Sequence, residues 1–145
     1  MLDVLLKGRE ALFMNNKNIY VKEFREINSR INNLKQMRAL LNWDMMTTLP
    51  HKGQKERAKV ISQINSEIYM TLLSDNTKKI INEMEQMDLF NIDDALGFEL
   101  EGIKIDYNKI KDIPIQLYVE YTKLIAETIG VWVEAKEKNE CKDFI

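Results

Sequence analysis

The sequence contains very little cysteine and histidine. It has one cysteine, Cys141, and one histidine, His51, in 145 residues. A single cysteine excludes a disulfide within the chain, and a thiolate zinc site would need ligands that are missing. A single histidine excludes any two-histidine metal site. These two shortages remove most of the ways in which this chain could be an enzyme by itself.

Proline and glycine are also sparse, with two and five residues respectively. The glycines are scattered along the chain, so they form no glycine-rich phosphate-binding loop. A chain this poor in helix breakers, and rich in Leu, Lys, Glu, Met and Ile, favours helices. With 45% hydrophobic residues, disorder is excluded. The length suits one domain, and we treat residues 1–145 as a single helical region.

Long apolar runs are missing as well. No stretch approaches the about 20 apolar residues of a membrane helix. The first residues place Asp3 where a secretory signal needs bases. We therefore expect a cytoplasmic protein that does not bind a membrane.

The charge is nearly balanced overall but unevenly distributed. The net charge is –2, with +5 in residues 1–72 and –7 in residues 73–145. Helices of opposite charge that attract one another, or solvated faces, explain this pattern. A basic nucleic-acid surface is the weaker alternative, because the basic residues alternate with apolar ones at helical spacing and do not cluster. We expect no nucleic-acid partner.

Apolar periodicity predicts an all-α fold of five or six antiparallel helices with short connections. A break is expected at Asn15–Asn18, because Asn prefers turns and caps. Ser74 and Asp75 supply cap chemistry, and Pro114 suits a first helical turn. The predicted helices cover about 3–14, 20–43, 53–73, 75–88, a segment from Asp93 to Asp112, and 114–139.

Two apolar stripes are the clearest of this pattern, and both are expected to face the core. The first is on the helix of residues 20–43, and the second is on the last helix. The first stripe is Phe24, Ile27, Ile31, Leu34, Met37 and Leu41, and the second is Leu117, Tyr121, Leu124, Thr128, Trp132 and Ala135.

Few side chains suggest catalysis. His51 is interpreted as an exposed histidine in a loop or at a helix start, and Cys141 as an inert thiol. The pairs Asp93-Asp94 and Glu99/Glu101 are interpreted as surface or capping acids, because a di-metal helical bundle needs Glu-x-x-His motifs that this sequence lacks. The chain also stops on Phe144-Ile145, so we expect that a longer protein has been cut here.

One cluster of residues is unusual. Leu41-Asn42-Trp43-Asp44 is followed by Thr47, Leu49-Pro50, Gly53 and Arg57. Trp43 is expected to anchor packing at a helix end. Asp44 could cap a turn at Thr47, or pair with Arg57 across a helix–helix corner. A structural corner explains the cluster without any catalytic role.

This cluster resembles the N-terminal signature of the carboxypeptidase Taq family, the thermostable carboxypeptidases 1. The signature residues are Trp43, Asp44, Pro50, Gly53 and Arg57, and His51-Lys52 before Gly53 is a small departure in spacing. Further matching features follow in the same order, and the resemblance covers about residues 20–145. These features are Tyr107, Ile113-Pro114, Trp132 with Ala135, and Asp143-Phe144.

The resemblance implies a mostly helical, metal-dependent carboxypeptidase of the cytoplasm that commonly forms homodimers. In such an enzyme a His-Glu-x-x-His helix and a distant Glu hold zinc or another divalent metal. This chain has no such motif, so no catalytic or metal-binding role transfers to any of its residues, and no cofactor is expected in it. The resemblance thus predicts the N-terminal helical portion of a longer enzyme, inactive alone, whose partners are the missing catalytic portion and a second copy. Peptide would be a substrate only of the full enzyme.

A second hypothesis is a non-enzymatic helical module for interaction or dimerisation. It predicts apolar stripes that close on one another within a compact domain. A helical nucleic-acid binder that uses the basic first half is a third, weaker hypothesis.

Overall fold

The computed structural model describes residues 2–87, 89 and 93–140, with side chains from residue 18 onward. Within these ranges the chain forms five helices and no strand, so the all-α prediction is confirmed. None of these helices is both long and apolar enough to span a bilayer. The helices are α1 (Leu2–Thr47), α2 (His51–Leu72), α3 (Asp75–Glu85), α4 (Asp94–Ile110) and α5 (Ile115–Lys138).

The predicted break at Asn15–Asn18 is wrong, because α1 runs through it as one helix of 46 residues. Asn lowers helix stability by well under about 1 kcal/mol per residue relative to Ala, and neither Pro nor Gly lies at this point. A weak local preference for turns is therefore not enough to end a helix. The side chains predicted for the first helix lie outside the described residues.

The other helix ends follow the local chemistry more closely. Ser74 caps α3, since its Oγ accepts a hydrogen bond from Thr77 N at 3.1 Å. Pro114 occupies the N-cap of α5, so the helix begins at Ile115, one residue later than predicted. Asn139 ends α5 in the left-handed conformation, with φ at 54°, which Asn tolerates better than most residues. This cap was not predicted.

The chain divides into two compact units. The first unit contains residues 1–30 and 72–109, and the second contains residues 31–71 and 110–145. Helix α1 therefore contributes its first part to one unit and its last part to the other. The expectation that residues 1–145 form a single region stays a prediction.

In the first unit, charged side chains connect the helices around a buried core that includes Phe24, Ile80 and Met84. Lys104 on α4 contacts Glu101 at 2.8 Å and Glu85 on α3 at 2.9 Å. The hydrogen bonds to Glu101 and then Glu85 raise the pKa of Lys104. Their contribution to stability is therefore present below the usual lysine pKa and is lost as pH rises through the raised value.

The acids at the start of α4 are surface and capping groups, as predicted. Asp93 Oδ1 accepts a hydrogen bond from Ala95 N at 3.0 Å, and Asp93 Oδ2 lies 3.2 Å from the Arg25 guanidinium. Glu99 accepts a hydrogen bond from Asn28 at 3.2 Å. These carboxylates thus hold a helix end and surface contacts, which is a structural use.

In the second unit, a small hydrophobic cluster joins α1, α2 and α5. Its buried members are at most 2% exposed. These members come from all three helices, and three partly buried hydrophobic residues pack against them. The buried members are Met45, Ala58, Ile61 and Ala126, and the partly buried ones are Leu41, Leu49 and Ile129.

The apolar stripe predicted for α5 faces outward, so this prediction is wrong. Leu117, Tyr121 and Leu124 are each 57–59% exposed, and Trp132 is 42% exposed. Of the stripe only Ala135 is buried. Helix α5 is apolar on more than one face, so periodicity alone did not identify its inner face. The inner face instead carries Tyr118, Thr122, Ala126 and Ile129.

The prediction that the apolar stripe on α1 faces the core is correct in part. Phe24 and Ile31 are buried, whereas Met37 is 52% exposed. The error lies toward the C-terminal end of α1, where the buried residue is Met45.

We predict that Ser74→Ala destabilises the protein by about 1 kcal/mol, because the first turn of α3 loses its side-chain cap. Urea unfolding followed by circular dichroism measures this. Ser66→Ala is the matched control, since Ser66 Oγ donates only to Ser62 O within its own helix and should change stability by under about 0.5 kcal/mol. Equal effects of the two substitutions would contradict the capping role.

Candidate functional site

The corner between α1 and α2 contains a network of side-chain hydrogen bonds and an ion pair. Arg57 Nη2 lies 3.0 Å from Asp44 Oδ2, and both side chains are about 30% exposed. Thr48 Oγ1 donates to Asp44 Oδ1 at 2.8 Å. Of the two roles predicted for Asp44, the pairing with Arg57 is confirmed. The turn contact comes from Thr48 and not from Thr47.

Gln54 braces the same corner from the other side. Its Nε2 donates to Met45 O at 2.9 Å and to Leu49 O at 3.3 Å. The last carbonyls of a helix have no partner within the helix, and Met45 O is one of these, whereas Leu49 O belongs to the connection that follows. One amide group thus donates to both oxygens. Gln54 is only 8% exposed, and its side chain thereby ties α2 to the end of α1.

Gly53 packs closely against the Leu49 side chain. A Cβ at position 53 would lie 3.0 Å from Leu49 Cδ1, which is tighter than ordinary van der Waals contact. Leu49 is one of the residues packed against the hydrophobic cluster. Pro50 O accepts a hydrogen bond from Gly53 N at 2.8 Å. The Leu49-Pro50…Gly53 portion of the signature therefore forms a tight helix start.

Trp43 does not anchor packing, contrary to the prediction. It lies in the last turn of α1 and is 63% exposed. The anchoring residue of this turn is Met45, which is 1% exposed. A Trp ring contributes packing energy only when its large apolar surface is buried, and here Trp43 points to the exposed side of the helix.

His51 is the first residue of α2 and is exposed, as predicted. Its Nε2 lies 2.8 Å from Glu137 Oε2 on α5. A histidine–carboxylate pair can act as a base only if a nucleophile or a bound water is within reach. Among the described residues, Glu137 is the only recorded hydrogen-bond partner of His51. The pair therefore connects α2 to α5, and no nucleophile among the described residues hydrogen-bonds to it.

A cavity of about 390 Å³ lies beside this pair. Its wall has charges of both signs, Lys55 against Glu127 and Glu134. The hydrogen bond from Lys138 lowers the pKa of Glu134, so Glu134 stays ionised at neutral pH. This interaction stabilises the fold above the usual carboxyl pKa and is lost as pH falls through the lowered value.

The remaining signature residues lie away from the corner. Pro114 starts α5, and Trp132 lies on the outer face of α5, where Lys136 Nζ is 5.1 Å from the centre of its ring. Tyr107 is half-buried on α4. Cys141 and Asp143-Phe144 lie outside the described residues.

The family resemblance implies a metal, and the residues present do not fit one. No group of three or more His, Cys, Asp or Glu side chains within the described ranges is arranged to hold a metal ion. The complete sequence has one histidine and no His-Glu-x-x-His motif. We therefore derive no catalytic step through a metal for this chain.

The fold and the corner together define a class of protein. It is an all-α region in which polar side chains at the corner hold two helices together. The particular family follows from comparison of the chain with known proteins. The model of the carboxypeptidase Taq (M32) metallopeptidase family matches residues 23–145. The chain belongs to this family, in agreement with the resemblance in the sequence.

A relative supports the same assignment. Carboxypeptidase 1 of Bacillus subtilis (strain 168) is 34% identical over 122 residues, which cover 83% of this chain and 24% of that protein. The matched chain thus spans about a quarter of the length of this relative. No solved structure matches the chain.

Sequence reasoning missed two residues of the corner, Gln54 and Glu137. Gln54 lies one helical turn before Ala58, which is in the buried cluster, so its position on the inner face of α2 could have been noticed. Glu137 is 86 residues from His51, and no local pattern connects them. Only the packing of α5 beside α2 brings them together.

We predict that Asp44→Asn destabilises the protein by about 1–2 kcal/mol, because Arg57 loses a partly buried, charge-assisted partner. Urea unfolding measures the change. Glu56→Gln is the matched control, since Glu56 pairs with Lys59 on an exposed face and should change stability by about 0.5 kcal/mol or less. A loss as large in the control would contradict a special role for the corner pair.

Proposed function

We propose that this chain is the N-terminal helical region of a metal-dependent carboxypeptidase, an enzyme that removes C-terminal amino acids from peptides. The observation that carries the proposal is the family match over residues 23–145. In this proposal the chain supplies scaffold and not catalysis. The complete enzyme holds zinc or another divalent metal in a part that this chain does not contain.

The partial length of the match supports this division of labour. The matched stretch is 24% of Carboxypeptidase 1 of Bacillus subtilis, and the chain has no His-Glu-x-x-His motif. That motif places two histidines on one helix face for the metal and a Glu for its water. The expected partners are therefore the catalytic portion of the enzyme and a second copy of it, in the cytoplasm.

The outer face of α5 is the surface we assign to the contact with the catalytic portion. Leu117, Tyr121 and Leu124 lie on successive turns and are each more than half exposed. Contiguous exposed apolar surface of this kind marks an interaction site more often than a solvated face. About three quarters of the relative lies outside the matched stretch, which is ample chain to cover this helix.

We expect the isolated chain to release no amino acid from an N-blocked dipeptide, with Zn²⁺ or Co²⁺ added. The physical reason is that the sequence has no His-Glu-x-x-His motif to hold a metal and activate its water. Amine release measured over hours tests this, with Carboxypeptidase 1 of Bacillus subtilis as a candidate positive control. Turnover that purifies with this chain, and disappears with its removal, would contradict the proposal.

We also predict that the isolated chain self-associates through the outer face of α5, because the exposed apolar row has nothing to cover it. Leu124→Glu should shift the mass measured by light scattering toward the monomer. Gln116→Glu adds the same charge at an exposed polar position of the same helix and should leave the mass unchanged. A monomeric chain that does not bind a hydrophobic dye would contradict this surface.

The same experiment addresses the alternative function, a non-enzymatic dimerisation module. The exposed row on α5 is the observation that favours it. A single, stable dimer that resists dilution would support the module. Heterogeneous association that dissociates on dilution would support a surface made for another part of the enzyme.

A further inference from the structure

A second, smaller cavity in the second unit carries an inference that does not depend on the proposed function. It has a volume of about 230 Å³ and lies between the last part of α1, α2 and α5. Its wall contains one cation, Arg38, and no carboxylate. The lining is half polar and half aliphatic. The polar residues are Arg38, Asn42, Asn65 and Thr122, and the aliphatic ones are Ile61, Ile125, Ala126 and Ile129.

Arg38 is half-buried and is held in place by one hydrogen bond. Its Nη1 donates to Asn65 Oδ1 at 2.9 Å. A guanidinium has five N–H donors, so most of its donors remain available. Among the described residues Arg38 has no recorded carboxylate partner. A positive charge beside a cavity without a counter-charge favours an anion there.

Asn65 adds a second donor that faces no protein acceptor. The residue is 5% exposed, and the bond from Arg38 identifies the acceptor oxygen of its amide, because a guanidinium can only donate. The other end of the amide, Nδ2, is therefore a donor, and no described residue accepts from it. Asn42, one turn after Arg38 on α1, places a further amide in the same wall.

We propose that this cavity binds a small aliphatic carboxylate. The Arg38 guanidinium and the Asn65 Nδ2 donate hydrogen bonds to the carboxylate oxygens, and the aliphatic side chains take the alkyl group. A guanidinium suits a planar carboxylate because two parallel N–H donors match its two oxygens. The volume holds about seven water-sized groups at about 30 Å³ each, which is the size of isovalerate.

The aliphatic lining is the reason for choosing a carboxylate over a phosphate. Phosphate carries more charge and needs donors on all sides, whereas half of the residues lining this cavity are aliphatic and the Thr122 hydroxyl already donates to Val119 O. A branched alkyl group loses its contact with water on entering the aliphatic side, and that burial is favourable. A branched alkyl carboxylate occurs both in free fatty acids and in amino acids, and the experiment distinguishes these two sources.

The test is a titration of the complete 145-residue chain, labelled with ¹⁵N, followed by two-dimensional NMR at constant ionic strength. The probes are isovalerate, leucine, isovaleramide and inorganic phosphate. We expect saturable shifts of the Asn42 and Asn65 side-chain amides with isovalerate. Isovaleramide has nearly the same shape without the charge, so its affinity should be lower by at least about tenfold.

The remaining probes decide between the sources of the carboxylate and between anions. Leucine binding as tightly as isovalerate assigns the site to amino acids, and weaker binding assigns it to simple acids; both outcomes support the proposal. Equal binding of isovaleramide, tighter binding of phosphate, or shifts that do not saturate with isovalerate would each overturn it.

Asn65→Asp tests the donor directly. The aspartate keeps an acceptor for Arg38 but replaces the N–H₂ donor by a negatively charged oxygen. The affinity for isovalerate should therefore fall by at least about tenfold. Asn76→Asp adds the same charge at an exposed position of α3 and should change the affinity less than about twofold. Unchanged binding in Asn65→Asp would overturn the assignment. If circular dichroism shows that this variant does not fold, Arg38→Gln provides the same test by removing the cation.

Discussion

The second unit depends on the way in which the chain turns the corner between α1 and α2. Pro50 cannot continue a helix by hydrogen bonding to the preceding turn, so the last carbonyls of α1 need other donors. The Gln54 amide donates to one of them, Met45 O, and also to Leu49 O in the connection between the helices. With these bonds made, Met45 O and Leu49 O are paired, whereas the buried Oε1 of Gln54 has no hydrogen-bond partner among the described residues.

The other contacts of the corner add to this brace. The Asp44–Arg57 pair joins the end of α1 to α2 at partly buried depth, where a charge-assisted bond contributes more than it does on an open surface. Gly53 leaves room for Leu49, which packs on the cluster of Met45, Ala58, Ile61 and Ala126. Polar bracing and apolar burial thus act at the same place, the corner where the residues of the predicted signature lie.

The proposed function gives this rigidity a purpose. A scaffold of helices held by a structural corner can present a fixed surface to a catalytic portion, whereas a scaffold with a loose corner could not. The exposed row on α5 belongs to the same unit as the corner. The small carboxylate cavity lies on the inner side of that helix, so α5 would serve a partner on one face and a ligand on the other.

The sequence predicted the helices well where strong local signals exist. Pro50, Ser74 and Pro114 mark helix ends, and the ends lie within one to a few residues of the prediction. The break at Asn15–Asn18 was wrong because asparagine is only a weak breaker, and the continuous helix outweighs its preference. The Asp44–Arg57 pair could be predicted because its residues flank one short corner.

What the sequence by itself determined is the helical class, the corner and the absence of a catalytic metal motif, since composition, breakers and short motifs act locally. The tertiary structure alone decided which face of α5 is buried, because that helix is apolar on more than one side and only its neighbours choose between them. It also decided which distant residues meet, such as His51 with Glu137. Such contacts depend on the packing of helices that are far apart in sequence, and no local pattern encodes that packing.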